Sequence, residues 1–204
     1  MRTRSPLLPI FLIVLVDVLG LTIVLPLLAH YAEDFGASAV TATFISSCYA
    51  ACSLISSPVL GRLSDRYGRR PLLLVSQAGT LIGFLILANA NALWLVFLGR
   101  ILDGVTAGNL SIAQAYISDH TAPENRTKAF GIIGIAFGIG FMFGPVVSGL
   151  LSEVSLSAPF FLAAGLSALS IFCTYTLLPR ELPPGTTANA STDGPPPPAG
   201  RRPP

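Results

Sequence analysis

The chain has 204 residues, of which 52% are hydrophobic and 11% are charged, whereas a soluble domain averages about 25% charged residues. This composition argues against the water-soluble globular classes, and the formal net charge of +2 is too small to indicate a nucleic-acid partner. The positions of the charges are therefore more informative than their sum.

Six apolar segments are long enough to cross a membrane. A spanning helix needs about 20 mostly apolar residues, and it must be helical because lipid cannot satisfy free backbone polar groups. The first segment is longer than the apolar region of a signal peptide, so we interpret it as a retained span. In chain order the predicted spans cover residues 7–28, 38–60, 71–90, 93–117, 129–151 and 158–178. The predicted fold class is an all-α membrane protein with six transmembrane helices.

The basic residues gather on one side of the predicted membrane. All of the 12 lysines and arginines except Arg100 lie before the first span, in the second and fourth loops, or after the last span. By the positive-inside rule both termini are cytoplasmic. Beyond the last span, residues 181–204 are rich in Pro, Gly, Ser and Thr, which predicts a disordered cytoplasmic tail. The basic residues of this cytoplasmic side are Arg2, Arg4, Arg62, Arg66, Arg69, Arg70, Arg126, Lys128, Arg180, Arg201 and Arg202.

No catalytic or metal-binding pattern is present in the sequence. Cys48, Cys52 and Cys173 lie in apolar runs without metal-ligand spacing, so we interpret them as small buried hydrophobic residues. The two histidines, His30 and His120, flank spans, and neither a nucleophile elbow nor a phosphate loop is found. We therefore expect no enzyme activity, no metal and no cofactor.

A charged motif lies between the second and third predicted spans, where residues 61–70 read GRLSDRYGRR. Gly61 and Gly68 would allow the chain to reverse, and Asp65 could exchange arginine partners between two states. The motif closely resembles the G-x-L-a-D-R-x-G-R-[RK] signature of the major facilitator superfamily. The resemblance implies one six-helix half of that family's bundle, with a cytoplasmic gating motif formed by Gly61, Asp65, Arg66, Gly68, Arg69, Arg70 and Asp119.

Spans four and five carry two further motifs of the same family. Arg100 to Gly104 is similar to its R-x-x-x-G element. Small residues of span five would let helices approach closely, and Pro145 favours a kink. These small residues are Gly134, Gly138, Gly140, Gly144 and Ser148. These glycines either shape a bend that serves passage along span five or serve only the packing of helices. The span-five pattern resembles that of the exporter (antiporter) branch and comprises Gly131, Gly140, Gly144, Pro145, Ser148 and Gly149.

The overall sequence most resembles tetracycline/proton antiporters, through Asp17, AYISD at residues 115–119 and APFFLAA at residues 158–164. It departs from them at two positions. Those pumps carry an acidic residue in span three, where this chain has Gly83, and a small residue in span four, where this chain has Asp103.

Three charged side chains lie within the predicted spans. Each costs at least about 2.5–3.5 kcal/mol at the bilayer centre. Asp17 and Asp103 are both about 15 Å deep at 1.5 Å per residue, so they could share one layer. Our hypothesis is that Asp17 carries a coupling proton, while Arg100 and Asp103 set its affinity or contact substrate. The alternative is a static pairing of Arg100 with either acid. One face of span four, predicted to line an aqueous cavity, contains Arg100, Asp103, Ala107, Ser111 and Gln114.

Charged residues are also present at or beyond the predicted cytoplasmic end of span four. We expect Asp119, Glu124 and Arg126 to pair with residues 62–70 and to latch one state. Exposed pairs contribute only about 0–1 kcal/mol each, so such a latch requires a network.

The resemblance implies proton-coupled efflux of drug-like small molecules of tetracycline type. The expected partners are a small-molecule substrate, protons, the lipid bilayer and a second six-helix half, supplied by another polypeptide or by self-association. The expected location is a bacterial inner membrane. Two alternatives are open: a truncated or regulatory membrane protein that does not transport, and a transporter for the uptake of sugar-like solutes.

Overall fold

The computed structural model describes residues 7–178, which form helices and no strands. Six segments in this range are long and apolar enough to cross a membrane, so the predicted fold class is confirmed. The helices are α1 (Leu7–Asp34), α2 (Ala39–Tyr67), α3 (Arg69–Ala88), α4 (Leu93–Val105), α5 (Asn109–His120), α6 (Arg126–Ser152) and α7 (Ala158–Leu177), with a short 3₁₀ helix at Pro123–Asn125.

Several sequence expectations fall outside the described residues or are modified by the structure. The tail predicted at 181–204 and the terminal basic residues at positions 2, 4, 180, 201 and 202 lie outside residues 7–178. The cysteines, expected to be buried, are each half-buried: Cys48, Cys52 and Cys173.

The helices pack as two related groups of three spans. α1 packs against α6 and α7, α4 packs against α2 and α3, and α3 packs against α7. If spans one, two and three are exchanged with spans four, five and six in the same order, the list of packed helix pairs stays the same. This is the arrangement expected of an internal repeat. It makes α1 equivalent to the span formed by α4 and α5, and it brings both to the centre of the bundle.

Span four is not the single helix that the sequence predicted. Residues 106–108 interrupt it and separate α4 from α5. Ser56 and Ser57 of α2 each donate a hydrogen bond of 2.6 Å to a backbone carbonyl of this span, and Ser76 of α3 accepts one of 2.8 Å from Gly108 N. The break persists inside a membrane segment because neighbouring side chains satisfy the freed backbone groups.

The turn between α2 and α3 is shorter than predicted. α2 continues to Tyr67 and α3 begins at Arg69, so Gly68 alone separates them. Gly68 has φ 96° and its backbone N donates to Ser64 O at 3.0 Å. This positive φ favours glycine. The expectation that Gly61 also reverses the chain was wrong, because it lies inside α2.

α6 packs tightly against α1 at two glycines of the span-five motif. A Cβ at Gly140 would lie 2.5 Å from Val18 Cγ1, and one at Gly144 would overlap the Thr22 side chain. Thr22 Oγ1 donates to Gly140 O at 2.9 Å. Within residues 7–178 the other glycines of α6 have open space around them, so no described helix packs against Gly134 or Gly138; the glycines of this group are Gly131, Gly134, Gly138 and Gly149.

We expect Gly144→Ala to lower the free energy of unfolding by about 1–3 kcal/mol, because the added methyl group overpacks the contact with Thr22. Gly138→Ala is the matched control in the same helix, where the methyl group meets open space. It should leave stability unchanged or raise it by about 1 kcal/mol. Unfolding of the detergent-solubilised protein measures both, and equal losses in the two variants would contradict the packing role.

Candidate functional site

A cavity of about 190 Å³ lies at the centre of the bundle. It is smaller than the roughly 300–1,000 Å³ of a site for a drug-sized ligand, so it accommodates a group of a ligand and not a complete molecule. Its wall is mainly apolar, with two carboxylates and a few hydroxyl and amide groups. The lining residues are Val14, Asp17, Val18, Leu21, Tyr49, Ser53, Ser57, Thr80, Phe84, Asp103, Ala107, Asn109, Leu110 and Phe137.

Asp17 and Asp103 both line this cavity, as their equal predicted depth indicated. They differ in their surroundings. Asp103 Oδ2 accepts a hydrogen bond of 2.7 Å from Arg100 Nη1, and the two side chains are only 4% and 1% exposed. Within residues 7–178, the ion pair of Arg100 is therefore with Asp103 and not with Asp17.

The guanidinium of Arg100 is enclosed on a second side by an aromatic ring. Its Cζ lies 4.0 Å from the ring centroid of Tyr49 on α2, a cation–π geometry. Burying an ion pair carries a large desolvation penalty, which is offset only by good geometry and additional contacts. The Tyr49 ring and the short ion pair supply these, so the span-four charges form a compact and nearly neutral unit.

The two departures from the tetracycline antiporter pattern are neighbours in space. A Cβ at Gly83 would lie 3.0 Å from Asp103 Cβ and 3.0 Å from Gly99 O. Such distances are tighter than ordinary contacts, so position 83 has little room for a side chain.

Asp17 interacts with side chains from three other helices. The side chains of Gln77 of α3, Ser170 of α7 and Asn109 of α5 lie near its carboxylate, and it faces the charge of Asp103. Gln77 Nε2 donates to Ser170 Oγ at 2.7 Å. Asp17 is therefore surrounded by neutral polar side chains, while part of its own side chain is exposed at the cavity.

Part of the predicted polar face of span four does not line the cavity. Asp103 and Ala107 contact it, but Ser111 Oγ donates to Gly108 O at 3.0 Å and to Ser57 O at 3.3 Å. Gln114 is exposed and is not among the lining residues. The interruption at residues 106–108 breaks the single helix on which the predicted face depended, so the cavity roles of Ser111 and Gln114 stay predictions.

The polar partners of Asp17 were missed by the sequence reasoning, although a signal was present. Ser167, Ser170 and Thr174 recur at spacings of three and four in the otherwise apolar α7, and all are buried. Gln77 is a buried amide within the apolar α3. The spacing test applied to span four would have selected this α7 face.

A second polar cluster lies at the end of the bundle where α2 meets α3, and it is centred on Arg69. Arg69 Nη1 lies 2.5 Å from Asp65 Oδ1 and donates to Ser64 Oγ at 2.7 Å, while Nε lies 2.9 Å from Asp119 Oδ2. The Arg69 side chain is only 11% exposed, whereas those of Asp65 and Asp119 are 60% and 49% exposed. The contact expected for Asp119 is therefore present, and it joins the α2–α3 turn to the end of α5.

The other charged residues near this cluster have different partners. Arg126 donates to Ser118 O at 3.0 Å and to Thr121 O at 3.3 Å, so it binds backbone carbonyls near the end of α5. Arg70 Nη2 donates to Tyr175 O at 2.5 Å, and its guanidinium lies over the Tyr175 ring. Arg70 therefore ties the start of α3 to the end of α7.

We expect Arg69→Ala to lower the free energy of unfolding by up to about 2 kcal/mol, because two ion pairs of about 0–1 kcal/mol each are lost. Arg62→Ala is the control, since Arg62 is an exposed arginine of the same motif. Unfolding in detergent at low and high salt measures the effect, and the difference between the variants should shrink as salt screens the pairs. Equal stability of the two variants at low salt would show that Arg69 does not hold the cluster.

Six membrane-length helices in two related groups, packed around a cavity with buried charges, define the described part of the chain as a polytopic α-helical membrane-protein fold. The family model of the Major Facilitator Superfamily matches residues 10–204. The chain belongs to this superfamily.

The relatives identified by sequence include bacterial drug-resistance proteins. The chain is 39% identical to the class C tetracycline resistance protein of Escherichia coli over 174 residues, which are 84% of this chain and 44% of that protein. It is 38% identical to the class B protein of Escherichia coli over 161 residues, 78% of this chain and 40% of that protein. The chain therefore spans less than half the length of these relatives.

The fold is also similar to a solved structure, that of the human organic anion transporter MFSD10 (TETRAN). The TM-score is 0.78 at 23% sequence identity, and the alignment covers 88% of this chain and 48% of that one. At this identity the similarity establishes the fold alone.

Proposed function

We propose that this chain is one half of a proton-coupled exporter of drug-like small molecules, in which Asp17 carries the coupling proton. The observation that carries the proposal is the contrast between the two cavity acids. Asp103 is paired with Arg100, whereas Asp17 forms no ion pair in the described part of the chain and lies near neutral polar side chains and Asp103. A carboxyl group without a fixed cation can bind and release a proton as its surroundings change.

The cavity chemistry supports a small amphipathic substrate. The wall combines apolar side chains with a few polar groups, as ligand sites usually do. Because the cavity is too small for a complete drug-sized molecule, a second six-helix half would supply the opposite wall, either from the same polypeptide, from another one or from a second copy. The 39% identity to a tetracycline resistance protein favours efflux of tetracycline-type compounds.

Two structural elements would serve alternating access in this proposal. The Arg69 cluster joins the α2–α3 turn to α5 on the side where basic residues gather, and it would latch that side in one state. The glycine contact of α6 with α1 places Thr22 against the helix that carries the exporter-like motif. The direction of transport and the bacterial inner-membrane location are inferred from that motif and from the relatives.

Orientation in the membrane has its own test within the same proposal. We expect the segment 61–70 to be labelled by impermeant reagents in inside-out vesicles and protected in intact cells, as the positive-inside rule requires. Labelling from outside intact cells would contradict the cytoplasmic assignment of the Arg69 cluster.

The transport experiment uses the chain together with its second half in proteoliposomes, with an imposed pH gradient. A panel of fluorescent amphipathic compounds, a tetracycline and a sugar is tested while internal pH is recorded. We expect gradient-driven movement of the amphipathic compounds with opposite proton flux, and none of the sugar. Sugar movement alone, or drug movement without proton flux, would contradict the proposed function.

A further inference from the structure

The aromatic ring of Tyr49 contacts both the central cavity and the buried guanidinium of Arg100. Tyr49 and Asp103 line the cavity, whereas Arg100 is not among the lining residues and is only 1% exposed. The Arg100 Cζ lies 4.0 Å from the centroid of the Tyr49 ring, and Tyr49 itself is half-buried. Tyr49 therefore covers a cation that would otherwise be close to the cavity.

The charged groups that reach the cavity are negative. Asp17 and Asp103 line it, and no lysine, arginine or histidine of residues 7–178 does. The pair of Arg100 with Asp103 has no net charge, but only its acidic member reaches the cavity. A ligand therefore meets the negative end of this pair, whether or not Asp17 carries a proton.

The ring also keeps a ligand away from the guanidinium. Atoms pack against an aromatic ring at about 3.5 Å, and Arg100 Cζ is 4.0 Å from the ring centroid. A ligand group beyond the ring is thus about 7 Å from the guanidinium, where the Coulomb attraction is little more than half of its value at about 4 Å. No hydrogen bond forms over that distance. The face of an aromatic ring is itself electron-rich, which favours a cation over an anion.

Arg100 has hydrogen-bonding capacity that the described residues do not use. Its Nη1 donates to Asp103 Oδ2 at 2.7 Å, whereas Nε is buried and has no partner within residues 7–178. A guanidinium with unused donors binds carboxylates strongly, often through two parallel hydrogen bonds. An anionic ligand would gain such a contact if the guanidinium were open to the cavity.

Close packing of α2 against α4 holds the Tyr49 ring beside Arg100. A Cβ at Gly104 would lie 2.8 Å from Tyr49 O and 2.8 Å from Cys52 Cβ, so the two helices touch one turn beyond Arg100. Ser56 Oγ, further along α2, donates to Gly104 O at 2.6 Å. These contacts fix the distance between the Tyr49 backbone and α4.

We propose that Tyr49 determines the charge selectivity of the cavity. By covering Arg100, its ring leaves a wall that binds cationic amphipathic groups, such as alkylammonium ions, in preference to anionic ones. This inference rests on the proposed function, because it assigns a substrate class to the same cavity. Loss of the ring opens the guanidinium to the cavity, where it can bind a ligand carboxylate. The Tyr49 hydroxyl is not required, since the ring alone provides the cover.

The first test measures whether the ring covers Arg100. The chain in detergent is treated with methylglyoxal, a small dicarbonyl that reacts with arginine, and mass spectrometry compares Arg100 with the exposed Arg62. We expect Tyr49→Ala to raise the relative rate at Arg100 by about tenfold or more, and Tyr49→Phe to keep the wild-type rate. Phe137→Ala is the matched control, because it removes an aromatic ring of the cavity wall from α6. Equal rates in Tyr49→Ala and the wild type would overturn the proposal.

The second test measures charge selectivity in the complete protein, reconstituted in lipid nanodiscs with empty nanodiscs as background. Three naphthalene compounds of similar size carry a trimethylammonium, a hydroxymethyl or a carboxylate group, and fluorescence anisotropy gives their affinities. We expect the wild type and Tyr49→Phe to prefer the cation to the carboxylate by about tenfold or more, and Tyr49→Ala to lower this ratio by about tenfold. Phe137→Ala should change all three affinities by a similar factor and leave the ratio unaltered.

Several results would overturn the proposal. They are an unchanged ratio in Tyr49→Ala, an equal change of the ratio in Phe137→Ala, and a wild-type protein that prefers the carboxylate or binds none of the compounds. If Tyr49→Ala does not fold, Tyr49→Val replaces it, since its short side chain does not reach over the guanidinium. Binding is measured without a pH gradient, so it is independent of transport. Charge-selective binding by a protein without proton-coupled transport would contradict the proposed function and leave the role of Tyr49 standing.

Discussion

Replacing Asp17 with Asn is expected to stop proton-driven export by the complete protein. Asn keeps the size of the side chain and remains a polar neighbour of Gln77, Ser170 and Asn109, but it cannot bind or release a proton. Removing a positioned proton-transfer group typically costs on the order of 10²-fold or more in rate. Transport driven by an imposed pH gradient should fall by at least that factor and lose its pH dependence.

Two comparisons show whether this loss is specific. Asp34→Asn alters an exposed acid at the other end of the same helix and should transport at the wild-type rate. Exchange of labelled for unlabelled substrate at equal pH needs no net proton movement, so Asp17→Asn should retain it. Unimpaired proton coupling in Asp17→Asn would remove Asp17 from the role of carrier.

Arg100→Met is expected to cause the largest loss of stability, about 3–5 kcal/mol. The substitution leaves the Asp103 carboxylate buried without its partner, and an uncompensated buried charge is strongly destabilising. The contact of the guanidinium with the Tyr49 ring is lost as well. Unfolding of the protein in detergent measures the effect, with Arg62→Met as an exposed control.

The double variant Arg100→Met with Asp103→Leu separates the cost of an orphaned charge from the value of the pair. Replacing a buried ion pair by apolar side chains of similar size is often neutral or stabilising. The double variant should therefore recover most of the stability lost in Arg100→Met. A double variant as unstable as the single one would show that packing of the long Arg100 side chain, and not its charge, dominates.

If Asp103 also takes part in transport, the double variant will be stable but will transport poorly. If the pair is only structural, stability and transport will recover together. This comparison decides between the two roles that the sequence left open for Arg100 and Asp103.

Much of the architecture follows from the sequence because the bilayer imposes local rules. The length of an apolar segment, the cost of a buried charge and the position of arginines are each read along one helix. These rules predicted the six spans and placed Asp17 and Asp103 at one depth, and the 61–70 motif indicated the superfamily. None of these inferences requires knowledge of which helices are neighbours.

Other features were decided only by tertiary contacts. The interruption of span four depends on hydroxyl groups of α2 and α3 that bind its freed backbone, and it breaks the single helical face predicted from spacing. The polar setting of Asp17 depends on Gln77 and Ser170, which are 60 or more positions away along the chain but adjacent in space. In lipid a polar group must find its partner within the protein. The sequence therefore determined how deep each charge lies, and the packing of neighbouring helices decided which group each one meets.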